Sequence, residues 1–156
     1  MKKYKLTGET KEIGGVTLHR IRALIDIPEH DVKAGDLGGW IEEEFNLSHD
    51  GAAWVRGEAW VSGKARVSGE ARVTGKARIT STIDYITIGA IGSRDDTTTF
   101  YRGKDGKIYV SCGCFNGSID DFAVKVKEVH AGTKHERTYL LAIELAKAQI
   151  ATEEES

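Results

Sequence analysis

Residues 49–84 repeat with a period of six, and no other stretch of the chain limits its fold so strongly. Written in sixes they are HDGAAW, VRGEAW, VSGKAR, VSGEAR, VTGKAR and ITSTID. Val55, Val61, Val67, Val73 and Ile79 form one column. Ala59, Ala65, Ala71 and Ala77 form a second, and Gly57, Gly63, Gly69 and Gly75 a third. An α-helix repeats every ~3.6 residues and a plain strand every ~2, so neither alone keeps three columns in phase. Short strands separated by tight turns do, which is the hexapeptide signature of a parallel β-helix. The aliphatic column is expected to face inward and Arg72 outward.

The repeats resemble the left-handed β-helix of hexapeptide-repeat proteins. In that family three hexads complete one triangular coil, so the resemblance implies two coils, 49–66 and 67–84. Residues one coil apart would stack at the strand spacing of ~4.8 Å, with Glu58 over Lys76. Trp54 and Trp60 occupy the position filled later by Arg66, Arg72 and Arg78. They are expected either to pack beneath the N-terminal segment or to anchor a subunit interface, where aromatic residues are enriched. Related left-handed helices associate as trimers, so the resemblance implies a homotrimer with Trp54 and Trp60 at its interface.

The chain has 156 residues, enough for one domain or two small ones. Its net charge of −2 argues against a nucleic acid polymer as partner. The apolar runs are too short to span a membrane, and MKKYKLTGET lacks the apolar stretch of a signal peptide. A cytoplasmic location is expected. Cys112 and Cys114 are too close for an easy framework disulfide and are expected to be reduced.

Three segments are expected: an N-terminal hairpin and cap over 1–48, the hexapeptide β-helix over 49–84, and a small α+β domain over 85–156. The fold class is thus mainly β with C-terminal α. Gly14-Gly15 punctuates the hairpin, and the broken alternation of Val16, Leu18, Ile21 and Leu24 points to a bulge near Arg20. Trp40, Phe45 and Leu47 are placed to cover the end of the repeats. After Asp84, YITIGAI reads as a buried strand, Asp105-Gly106 as a hairpin turn, and Ser118 as a helix cap. Ile119, Phe122, Val126 and Val129 mark one face of the first helix. Leu141, Leu145 and Ala148 mark one face of the second.

The segment VKAGDLGGWIEEEFNLSHDGAAWV, residues 32–55, carries a second resemblance, to hexapeptide-repeat proteins of enterobacteria and their phages, some labelled acyltransferases. IGSRDDTTTFYR and VSCGCFNGSIDDF resemble a domain of small phage proteins. These likenesses imply phage or prophage origin, hence the host cytoplasm, without supplying an activity.

Hexapeptide acyltransferases are similar in their helix, but use a catalytic histidine and several coils. Here about two coils run without a loop insertion, and His49 stands in the aliphatic column, where a structural role is expected. Cys112 and Cys114 with His130 and His135 could form a zinc set, but the spacing is unusual and no metal site is expected. No cofactor is expected either. Ser93, Arg94 and Arg102 form the better candidate: a hydroxyl and two planar guanidiniums suited to phosphate, with Tyr101 or Phe115 to stack on a base. The alternative is that the arginines pair with Asp95, Asp96, Asp120 or Asp121. The expected function is a non-enzymatic, oligomeric phage or prophage protein that sequesters a small anionic nucleotide signal of host defence. The other readings are an inhibitor binding a host protein through the repeat surface, a virion or assembly part, and a hexapeptide-type acyltransferase.

Overall fold

The computed structural model describes residues 2–92, 96–113 and 115–150. The chain divides into two units, Met1–Thr82 and Ile83–Ser156.

In the first unit the strands are β1 (Tyr4–Ile13), β2 (Val16–Ala23), β3 (Leu37–Ile41), β4 (Trp54–Val55), β5 (Trp60–Val61), β6 (Arg72–Val73) and β7 (Arg78–Ile79). β1 and β2 form an antiparallel hairpin, closed at Gly14-Gly15 with both glycines at positive φ. β3 lies antiparallel to β2 and parallel to β5, and β5 parallel to β7, giving a five-stranded mixed sheet ordered β1-β2-β3-β5-β7. β4 and β6 pair in parallel as a separate two-stranded sheet. The bulge expected near Arg20 falls as a register shift between Arg20 and Arg22.

The expected left-handed parallel β-helix is therefore corrected: the described residues form a five-stranded mixed sheet, a two-stranded parallel sheet and a four-stranded antiparallel sheet, with two C-terminal helices. The physical reason lies in strand length. Each repeat strand holds two residues, whereas the hairpin strands hold ten and eight. β3 joins the short parallel strands to that antiparallel hairpin. The repeat still sets register and burial: Trp54 pairs with Arg72 and Trp60 with Arg78. Val55, Val61, Val67, Val73 and Ile79 are fully buried, as are the four alanines of the second column. Glu58 is met by Lys11 at 3.2 Å.

Two glycines let β3 lie against the repeats. A Cβ on Gly38 would come within 2.7 Å of Trp54 Cζ2, and one on Gly39 within 2.6 Å of the Ala59 carbonyl. Of the expected cap residues, Trp40 and Leu47 are buried and Phe45 is exposed. Asn46, also fully buried, ties the turn before the repeats to their backbone. Its Nδ2 donates to the carbonyls of Ala65 (2.7 Å) and Gly63 (3.2 Å), while its Oδ1 accepts from the Glu43 amide.

The second unit is a four-stranded antiparallel sheet ordered β11-β10-β9-β8 with two helices. Its elements are β8 (Tyr85–Ile91), β9 (Asp96–Arg102), β10 (Ile108–Cys112), β11 (Phe115–Ser118), α1 (Ile119–His130) and α2 (Lys134–Gln149). Ser118 caps α1 by accepting the Asp121 amide, as the sequence indicates. The core joins Phe100, Ile108 and Val110 to Ile119, Phe122 and Val126 of α1 and to Tyr139, Ala142, Ile143 and Ala146 of α2. The expected inward face of α2 is corrected: Leu141 and Leu145 are 60% and 50% exposed. Val129 of α1 is likewise exposed.

Candidate functional site

Of the described residues expected at an anion site in the second unit, Arg102 and Phe115 lie toward opposite ends of the sheet. Ser93 and Arg94 lie outside the described residues, as does Cys114. Arg102 Nε donates to Asp84 Oδ1 at 2.9 Å, and the carboxylate is buried. Asp84 was not among the partners expected for it. Tyr101 follows Phe100 on β9, so its ring lies on the opposite face of the sheet from the helix-packed core. There it is buried and stacks with Tyr109 at 6.2 Å between ring centroids. Phe115 packs on Phe122 at 5.2 Å, and Cys112, opposite Phe115, pairs with Thr98, at the far end of β9 from Arg102.

Trp54 and Trp60 are 1% and 7% exposed in the single chain. Trp54 meets Tyr4 of β1 edge-on at 6.5 Å, and Trp60 clusters with Leu18 of β2 and Trp40. Both indoles thus pack against the N-terminal hairpin, which leaves them little area for a subunit interface. Arg20, Trp40, Trp60 and Arg78 form one row across β2, β3, β5 and β7. The two guanidiniums lie over the indoles at 5.4 and 5.5 Å, and Lys11 Nζ lies 4.3 Å from the Trp40 centroid.

His49 is not placed for base chemistry. Its Nδ1 accepts the Lys3 amide at 3.1 Å, which puts the ring proton on Nε2, 3.1 Å from Glu44 Oε1. The ring stacks on Tyr4 at 4.1 Å. The His49 hydrogen bond holds the Glu44 carboxyl below its ordinary range. Beside this cluster, Lys3 Nζ is buried and donates to the Ala53 carbonyl at 2.6 Å. Burial lowers its pKa to about 8. Among the described residues no group of three His, Cys, Asp or Glu side chains could hold a metal ion.

Among the described residues, a cleft of about 390 Å³ in the first unit brings polar side chains together. It is lined by Arg20, Val32, Asp36, Leu37, Trp54, Arg56 and Gly57. Its residues come from β2, the loop before β3, β3 itself and the first repeats. Arg20 Nε donates to the Gly38 carbonyl at 3.1 Å. Arg56 Nη2 donates to the carbonyls of His30 (2.6 Å) and Asp31 (3.4 Å), closing the 3₁₀ turn Pro28–His30. The loop is held on both sides: Asp36 Oδ2 accepts the Lys33 amide and Asp26 Oδ1 the Ala34 amide, each at 2.9 Å.

Neither Arg20 nor Arg56 forms an ion pair with a carboxylate among the described residues. Asp36 contributes one negative charge to the lining, so the cleft is net positive by one. His30 is buried, and its Nε2 has no hydrogen-bond partner. Burial lowers its pKa and the nearby Arg72 and Arg56 charges reinforce the shift, so it adds no charge near neutrality. Two positioned guanidiniums in a cleft of this volume suit a small anion of nucleotide size. Sequence reasoning missed this site because its arginines lie far apart in the chain and neither sits in a motif.

No family model matches the chain, and no curated protein matches it in sequence.

Proposed function

We propose that the protein is a binding protein whose first-unit cleft takes a small phosphorylated anion. The observation that carries this reading is the pair Arg20 and Arg56. Each is oriented by a backbone carbonyl, both line one cleft, and among the described residues neither forms an ion pair with a carboxylate. Each guanidinium keeps donors beyond those used on the backbone, and a planar fork matches phosphate geometry. The resemblance to phage proteins favours a nucleotide signal of host defence as the ligand, with sequestration as the action.

Calorimetric titration with a panel of nucleotides and inorganic phosphate tests this. Arg20→Gln and Arg56→Gln should each weaken binding by roughly ten- to a hundredfold, since a charge-assisted contact contributes ~1.5–3 kcal/mol. Asp36→Asn keeps an oxygen for the Lys33 amide, removes a negative charge, and should tighten binding. Absence of heat across the panel, or unchanged affinity in both arginine variants, would overturn the reading.

A further inference from the structure

We infer that the second unit carries a self-association surface, formed by the outer edge of β8 around Thr87 and the exposed leucines of α2, and that its occupant is a second copy of this chain. Three observations carry it. First, β8 ends the sheet: β9 pairs with one of its edges, and among the described residues no strand pairs with the other. Thr87 and Gly89 along it are exposed, and Ile86, Ile88 and Ile91 are half-buried.

Second, an apolar groove of about 240 Å³ runs beside that edge, lined by Ile88 and Ile91 of β8 and by Thr138, Leu141, Ala142 and Leu145 of α2. Two leucines that are half or more exposed beside two isoleucines form a contiguous apolar patch, of the kind that marks an interaction site. Third, the stretch YITIGAIG, residues 85–92, contains no charged residue and no proline. Soluble proteins protect a free strand edge with charges, proline or a covering element. A neutral, β-branched edge without those devices is suited to being covered.

The groove and edge are uncharged, so the occupant must be uncharged there too, and this same surface meets that requirement. An antiparallel strand can pair with its own copy about a two-fold axis, which closes the assembly and buries both edges at once. With the axis near Thr87, Ile86 of one protomer faces Ile88 of the other on the helix side of the sheet. Leu141 and Leu145 then meet their counterparts beside that seam. Residues 151–156, ATEEES, carry three glutamates and do not match the groove chemically.

Sedimentation equilibrium of the full chain across a micromolar concentration series tests the inference. The wild type should reach twice the 17.1 kDa chain mass. Thr87→Lys, which places a cation on the exposed edge, and Leu141→Glu should each weaken the dimer at least about tenfold. Circular dichroism should report unchanged secondary structure in both. Hydrogen exchange should show amides of 85–91 becoming protected as the wild-type concentration rises. A wild type that stays monomeric overturns the inference. So does a trimer, or a dimer that both variants leave intact, or exchange in 85–91 that ignores concentration. Loss of a host protein's binding in these variants, with a monomeric wild type, would assign the surface to a foreign partner instead.

Discussion

Arg102 has its Nε on a buried aspartate, which sets its energetic role. Asp84 belongs to the last hexad, and the β8–β9 hairpin brings the two together at 2.9 Å. Arg102→Ala should therefore lower the stability of the second unit by about 1.5–3 kcal/mol, because the buried carboxylate loses this charge-assisted hydrogen bond. Urea denaturation measures this, and Asp84→Asn in the same chain should recover part of the loss. The sequence suggests instead that Arg102 is exposed and that its removal leaves the fold intact. Asp95, Asp96, Asp120 and Asp121 drew attention by proximity along the chain or at the helix cap. Asp84 was hidden by sitting at the far end of a strand. The cleft arginines were hidden for a related reason: Arg20 is part of an alternating strand and Arg56 part of a repeat, and only the fold shows that they line one space.

At the level of elements, what was legible is what repeats. The aliphatic column and the alanines are buried because each hexad presents the same small apolar face, and a change at any one is felt in a close-packed interior. Val67→Asp should therefore unfold the first unit by placing an unpaired charge among fully buried neighbours. Helix faces were less legible. In α2 the large residues Leu141 and Leu145 suggest a core stripe, but the sheet takes the face bearing Ala142 and Ala146, whose small side chains permit close approach. In α1 the stripe holds for Phe122 and Val126 and fails at Val129. Val126→Glu should collapse the second unit, whereas Val129→Glu should shift stability by less than about 0.5 kcal/mol. Thermal melts of the two variants decide it. The mixed sheet itself was not legible, because β3 passes over β4, its next strand in the chain, and pairs with β5, and period six does not specify that partner.

For the whole molecule, pH should act in opposite directions at the two ends of the scale. His30 is held below its ordinary value of 6.5. Below that pH the unfolded chain takes up a proton that the native one refuses, so stability falls with acid. Lys3, lowered from 10.5 to about 8, works in the other window. Between those values the unfolded chain holds a proton that the native one has released, so stability rises with pH by about 1–3 kcal/mol. Above about pH 10 Tyr4 reverses the trend, because burial raises its pKa and the native state keeps a proton the unfolded chain has lost. The melting temperature should thus peak between about pH 9 and 10, and Lys3→Met should flatten the rise from pH 8.

The position of β3, antiparallel to one neighbour and parallel to the other, also bears on synthesis from the ribosome. The β1–β2 hairpin is local and can close in ~1–10 μs, and β3 can join it as soon as residue 41 has emerged. Its outer edge must wait for Trp60 and Val61, at translation rates of ~5–20 residues per second. For the time it takes to make the intervening residues, the nascent chain displays Leu37–Ile41 as an uncovered edge that a neighbouring nascent chain could capture. The Gly38-Gly39 pair, needed for close packing in the finished protein, weakens that edge as a strand in the interim and so limits wrong pairing before its own partner exists.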